Sequence, residues 1–304
     1  MAFVGDAARG QEYPDKTIRI HTSAAGGGTD FAARIIAQGL AAGLGQPVIV
    51  DNRPLINSIE LVSKAAPDGY ALLFTGATLW ILPLLQTVPY DTVRDFSPIT
   101  FTGSSPYVLV VYPSLPVKSV KDLIALAKAR PGALNYGSPT LGSPNHLASE
   151  LFKSMAGVDI VRVNYKGTGP STAGLLGGEV QVLFVTPPTV TPHMKSGRIR
   201  ALAVTGLRSS ELLPGLPTVA ASGLPGYEIV SIDAVVAPAK TPAAIIRRLN
   251  QKIVRDINRP EVKQKFFDAG IEIVGNSPQD AEKFIHGEIL KLSKVIKSAG
   301  IKLE

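Results

Sequence analysis

No cysteine occurs in the 304 residues, so disulfides, thiolate nucleophiles and cysteine-ligated metals are excluded from the chemistry of this stretch. Aromatic residues are scarce at 6%, with a single tryptophan, and nowhere do they interleave with lysine or arginine as a nucleic-acid surface would require. The net charge of +7 comes from scattered basic residues and marks solvated helix faces rather than a polyanion site. The longest apolar region, Tyr70 to Leu85, is broken by Gly76 and Pro83 and falls short of the ~18 apolar residues of a spanning helix. The four histidines (21, 146, 193, 286) are dispersed, without H-E-x-x-H or another ligand spacing. G-x-x-x-x-G-K-[ST] and G-x-S-x-G are also missing, which removes the P-loop and the nucleophile elbow. Neither a cofactor nor catalysis is expected.

What the chain does have is alternation. β-Branched apolar runs ("TIRIHT", "PVIV", "YALLFT", "YVLVVY", "DIVRV", "VQVLFV", "RALAVT") are separated by helix-period runs, the pattern of an α/β protein with mainly parallel sheets. The helix opening at Thr29 is expected to bury Phe31, Ile35, Ile36 and Leu40, and a helix over 119–130 to bury Val120, Leu123, Ile124 and Ala127. Two long extended runs, 107–112 and 227–237, read as strands crossing between two lobes. Lobe 1 is expected over 13–110 and 232–304, lobe 2 over 111–231, with 1–12 as the remnant of an export signal or a leader.

One stretch stands apart. "SAAGGGTD", Ser23 to Asp30, joins a strand to a helix through three glycines. Glycines there let the backbone approach a ligand and turn amide N–H groups toward it, at the helix end that carries about half a positive charge. The dinucleotide fingerprint fails because Phe31 stands where its third glycine belongs. Asp30 reads as a brace, since its own charge would repel an anion. A second loop, "YGSPTLGSPNHLASELF", and a third, "NYKGTGPSTAGLLGG", repeat the Gly/Ser/Thr recipe after a strand. Three such loops at strand C-termini are what a ligand crevice in an open α/β sheet uses. His146 reads as a packed or capping residue.

The segments "YPDKTIRI", "GGGTDFAAR", "GQPVIVDNRP", "APDGYALL", "PYDTVRDFSPIT", "NYGSPTLGSPNHLASELF", "VNYKG", "LLGGEVQVLF", "SGRIRALAVTG" and "VAPAKTPAAIIRRLN", in this order, resemble the Bug-type (TctC) solute receptors of tripartite tricarboxylate transporters. The resemblance implies a type II periplasmic binding protein: two Rossmann-like lobes joined by two crossover strands, closing on a ligand as a Venus flytrap. It implies a monomer in the periplasm that captures a small carboxylate and delivers it to a membrane permease. It further implies that one carboxylate is held between the first and second loops. By position the ligand-binding candidates are Ser23, Ala25, Gly27, Gly28 and Thr29, then Ser138, Thr140 and Ser143, then Thr168, with Trp80 at the far end. This chain departs from the family at Leu55-Ile56-Asn57-Ser58, where a glycine-rich turn is usual, at Val185 in place of an acid, and at Arg162 in place of a histidine. Leu55, Ile56 and Trp80 therefore predict an apolar distal pocket suited to an aromatic or longer aliphatic acid. A ligand sensor for a signalling partner uses the same pocket, and an α/β enzyme acting on an anionic metabolite is the remaining alternative.

Overall fold

The computed structural model describes residues 13–138 and 141–301. The first strands and helices alternate: β1 (Ile18–Thr22), α1 (Gly28–Leu44), β2 (Val48–Asn52), α2 (Leu55–Ser63), β3 (Ala71–Thr75) and α3 (Thr78–Leu85). An eleven-residue strand, β4 (Phe96–Pro106), leads directly into β5 (Val108–Val111). There follow α4 (Val120–Ala129), β6 (Asn135–Ser138), α5 (Pro144–Ala156), β7 (Val161–Asn164), α6 (Thr168–Leu176), β8 (Val182–Val185), α7 (Pro187–Lys195) and β9 (Arg200–Val204). The chain returns through β10 (Val230–Pro238) and ends with α8 (Ala243–Ile257), α9 (Pro260–Asp268), β11 (Glu272–Ile273) and α10 (Pro278–Ser298).

These strands form two sheets, ordered β11-β4-β10-β3-β1-β2 and β7-β6-β8-β5-β9. Both are mixed, which corrects the expectation of mainly parallel sheets. The β2-β1-β3 and β7-β6-β8 blocks are parallel, but β4, β10 and β5 run antiparallel to their neighbours. The reason is topological: β10 and β5 enter from the other lobe against the direction of the local βα units, and β4, which runs with β3, is antiparallel because it pairs with β10. Val108 already pairs in the second sheet and Val230 in the first, so the expected 110/111 boundary falls inside β5 and the expected 231/232 boundary inside β10.

Register shows where the strand ends point. Thr75 of β3 pairs with Ala234, nearer the crossing than the Leu73–Val236 pair, and β1 and β2 run the same way. In the second sheet Val185 and Val204 both sit opposite Val108, at the crossing. The C-terminal ends of β1, β2 and β3 thus face those of β6, β7, β8 and β9 across the crossings.

Helix α1 is held by Ala32, Ala33, Ile36, Ala37 and Leu40 and stops at Gly45, whose amide caps Ala41 O. Its buried face is rotated from the predicted stripe: Phe31 is 41% exposed, because small alanines allow the helix to lie close to the sheet. Helix α4 buries Val120, Leu123 and Ala127 as expected, with Ile124 only half-buried and Ser119 capping the Asp122 amide. One apolar core runs through both lobes, where α3 and α10 meet α5. Each fully buried large side chain there, Phe152 or Phe184 for example, contributes about 1.5–3 kcal/mol.

Candidate functional site

The first loop lies at the cleft end of β1, and residues 24–28 are exposed. Its shape is set from behind. Asp30 is buried, and its carboxylate accepts from the Gly26 amide at 2.9 Å and from Asn52 Nδ2 at 2.8 Å, with Arg34 at 3.0 Å. The Gly26 amide foremost, with Arg34 and Asn52, holds the Asp30 carboxyl below the usual carboxylate range. Asn52 Nδ2 also donates to Ser23 O, and Ser58 Oγ to Thr22 O. Gly26 has φ +88°, a left-handed conformation that glycine adopts without strain. Gly27 is extended and caps α1 without any side chain.

This arrangement leaves donors open. Phe31 N bonds Gly27 O, but among the described residues the amides of Gly27, Gly28 and Thr29 have no acceptor, as befits a first helical turn. Cβ atoms built on Gly26, Gly27 and Gly28 would meet nothing within 4 Å. A helix end with free amides, uncovered and facing another lobe, suits an anion.

The second loop faces it from β6. Ser138 is buried and its Oγ accepts from Arg162 Nε at 2.7 Å. Arg162 Nη2 donates to Asn164, and among the described residues no carboxylate pairs with this guanidinium, which stands one strand away on β7. Ser143 caps α5 by accepting from His146 N at 3.4 Å. The Gly142 amide donates to His146 Nδ1 at 2.9 Å, so the ring is the neutral Nε2–H tautomer. Burial first, and Arg162 next, lowers the His146 pKa to about 4. His146 is a packed loop brace, as expected, and Gly142 has φ +73°, a left-handed conformation that favours glycine, next to Leu85 of the other lobe. Thr140 lies outside the described residues.

In the third loop Thr168 is half-buried and opens α6; its carbonyl accepts from Ser171 and Thr172. Ser23 and Thr29 are half-buried and Ala25 is exposed on the first loop. Leu55 and Ile56 are half-buried where α2 leaves the cleft end of β2. Trp80 is a correction: it is 1% exposed and tilted against Phe101 in the core, because α3 turns its apolar face to α10 rather than to the cleft. Residues missed from sequence are Asn52 and Ser58, which pin the first loop, and Arg162, visible there only as a departure. The signal for Asn52 is the short "DNRP" run that ends β2.

A groove of about 1260 Å³ lies away from the three loops, lined by Phe101, Ser104, Ile232, Lys263, Glu272 and Phe284. It contains none of the predicted site residues. Among the described residues no group of three or more His, Asp or Glu side chains could hold a metal ion.

Comparison with known proteins gives one answer. Residues 32–301 match the family described as Tripartite tricarboxylate transporter family receptor. The chain is 36% identical over 299 residues to Protein BugT of Bordetella pertussis, covering 96% of this chain and 92% of that one. Among solved structures it resembles R. palustris Rpa4515 with adipate (37% identity, TM-score 0.75, covering 96% and 99%). It also resembles the periplasmic binding protein BugD (27% identity, TM-score 0.71, covering 96% and 100%).

Proposed function

Because this chain belongs to the tripartite tricarboxylate transporter receptor family, whose members are periplasmic solute receptors and not enzymes, we propose that it captures a small carboxylate between its lobes and delivers it to a permease of that transporter type. The observation that carries the reading is the first loop: three unpaired amides at the start of α1, braced by Asp30 and open toward the second lobe. Adipate with a relative 37% identical supports the carboxylate class. The Arg162 guanidinium beside Ser138 supplies positive charge on the opposite side. Leu55 and Ile56 favour an apolar body, aliphatic or aromatic, over a tricarboxylate.

Three charge-assisted hydrogen bonds at ~1.5–3 kcal/mol each approach the ~8 kcal/mol of a micromolar complex. Association costs of ~4–15 kcal/mol leave the open form short. Closure of the lobes, which removes water from those bonds, supplies the difference and creates the state a permease recognises.

Gly27→Val tests the reading. Gly27 has φ −89° and ψ 172°, which valine adopts without strain, and no atom obstructs the new side chain. Calorimetry with a panel of mono- and dicarboxylates is expected to show binding by the wild type and none by the variant, at an unchanged melting temperature. Equal binding by both proteins removes the first loop from the site.

A further inference from the structure

We propose that Asp233, on the strand that crosses between the lobes, is a specificity-determining residue that accepts hydrogen bonds from a protonated amine of the ligand, so that the solute is an amino-carboxylate rather than a dicarboxylate. This rests on the carboxylate-receptor reading above and names the far end of the same ligand.

The position follows from register. Along β10, Val230 and Ile232 line the outer groove with Phe101 and Phe284, so Ser231 and Asp233 take the opposite side of the crossing. Asp233 pairs with Gly103, and a Cβ on Gly103 would collide with Ile271 and approach Phe266. Phe266 shares its core with Ala32, Ala33 and Ile36 of α1. Asp233 therefore stands on the α1 side of the sheet, at the level of the crossing, on the floor between the facing loops. It is close enough to Tyr107 that its charge adds to burial in raising that phenol.

The chemistry follows from what Asp233 lacks. Among the described residues its carboxylate oxygens accept no hydrogen bond and no cation pairs with them; the Thr102 hydroxyl donates to its backbone carbonyl instead, and the side chain is half-buried. Loss of solvent alone pushes its pKa up to about 7. A ligand that covers this half-buried carboxyl strips its remaining water, which is costly, and the cost is relieved when the ligand brings the missing donor. A second carboxylate on the ligand would meet like charge there and be rejected, whereas an ammonium converts the unpaired acid into a hydrogen-bonded ion pair. The free amides and Arg162 at the loops and Asp233 at the floor together present opposite charges to the two ends of one solute.

The test compares α- and ω-amino acids with diacids of matched chain length by calorimetry at pH 7.5. The wild type is expected to bind at least one amino acid about ten-fold or more tightly than its matched diacid, and Asp233→Asn to abolish or invert that preference while melting normally. Diacids bound as tightly as amino acids overturn the proposal, and so does binding confined to carboxylates with no second polar group; both leave the carboxylate reading intact. No binding by any carboxylate overturns that reading and the proposal with it.

Discussion

His146 shows how one side chain both shapes the second loop and limits where it works. Its Nδ1 accepts the Gly142 amide only while the ring is neutral. The folded pKa of about 4 lies below the ~6.5 of an unfolded histidine. The unfolded chain therefore takes up the proton first as pH falls, and stability declines from about pH 6.5 down through about pH 4, by on the order of 3 kcal/mol. Above pH 6.5 the residue costs nothing of this kind. Gln at 146 retains an acceptor and cannot charge, so in denaturant titrations His146→Gln is expected to lack that part of the decline. Parallel pH profiles for the two proteins would show that His146 titrates normally in the fold.

At the scale of elements, the first loop and α1 form one unit whose donors are aimed by Asp30. Removing that carboxylate leaves the Gly26 amide without its acceptor and takes one partner each from Asn52 and Arg34, at about 1–3 kcal/mol. Asp30→Ala is thus expected to lower the unfolding free energy by that amount and to weaken carboxylate binding, since the three amides lose their fixed direction; wild-type affinity would contradict the bracing role. Much of this unit is legible in sequence, where three glycines precede an apolar-periodic run and an acid follows them. Strand β4 is not, because "FSPITFTGSSP" lacks β-branched alternation. Pro98 fits only because it sits beside a register shift opposite Val236, and Gly103 only because Ile271 fills its side. Trp80 misled for the opposite reason: a large aromatic next to a strand end reads equally as a stacking platform or as core, and only packing decides. Asp233 carried a readable sign, an acid inside the apolar run "YEIVSIDAVVA", whose meaning depends on which face of the strand it takes.

At the scale of the whole molecule, the lobes are tied together away from the facing loops. Glu272 of β11 accepts from Ser210 Oγ and the Glu211 amide at 2.7 Å each, and Lys291 of α10 donates to Glu228 O. Such ties leave rotation about the β4–β5 and β10 crossings as the available motion. Small-angle scattering is expected to show a smaller radius of gyration at saturating carboxylate than without it; superimposable profiles would mean capture without closure. The central claim is narrower and is tested by following backbone amides in ¹⁵N–¹H spectra during titration with the tightest-binding carboxylate. Saturating shifts at Gly27, Gly28 and Thr29, in step with those at Gly142 and Ser143, are the predicted result, and saturation elsewhere in the protein with those amides unmoved would contradict it.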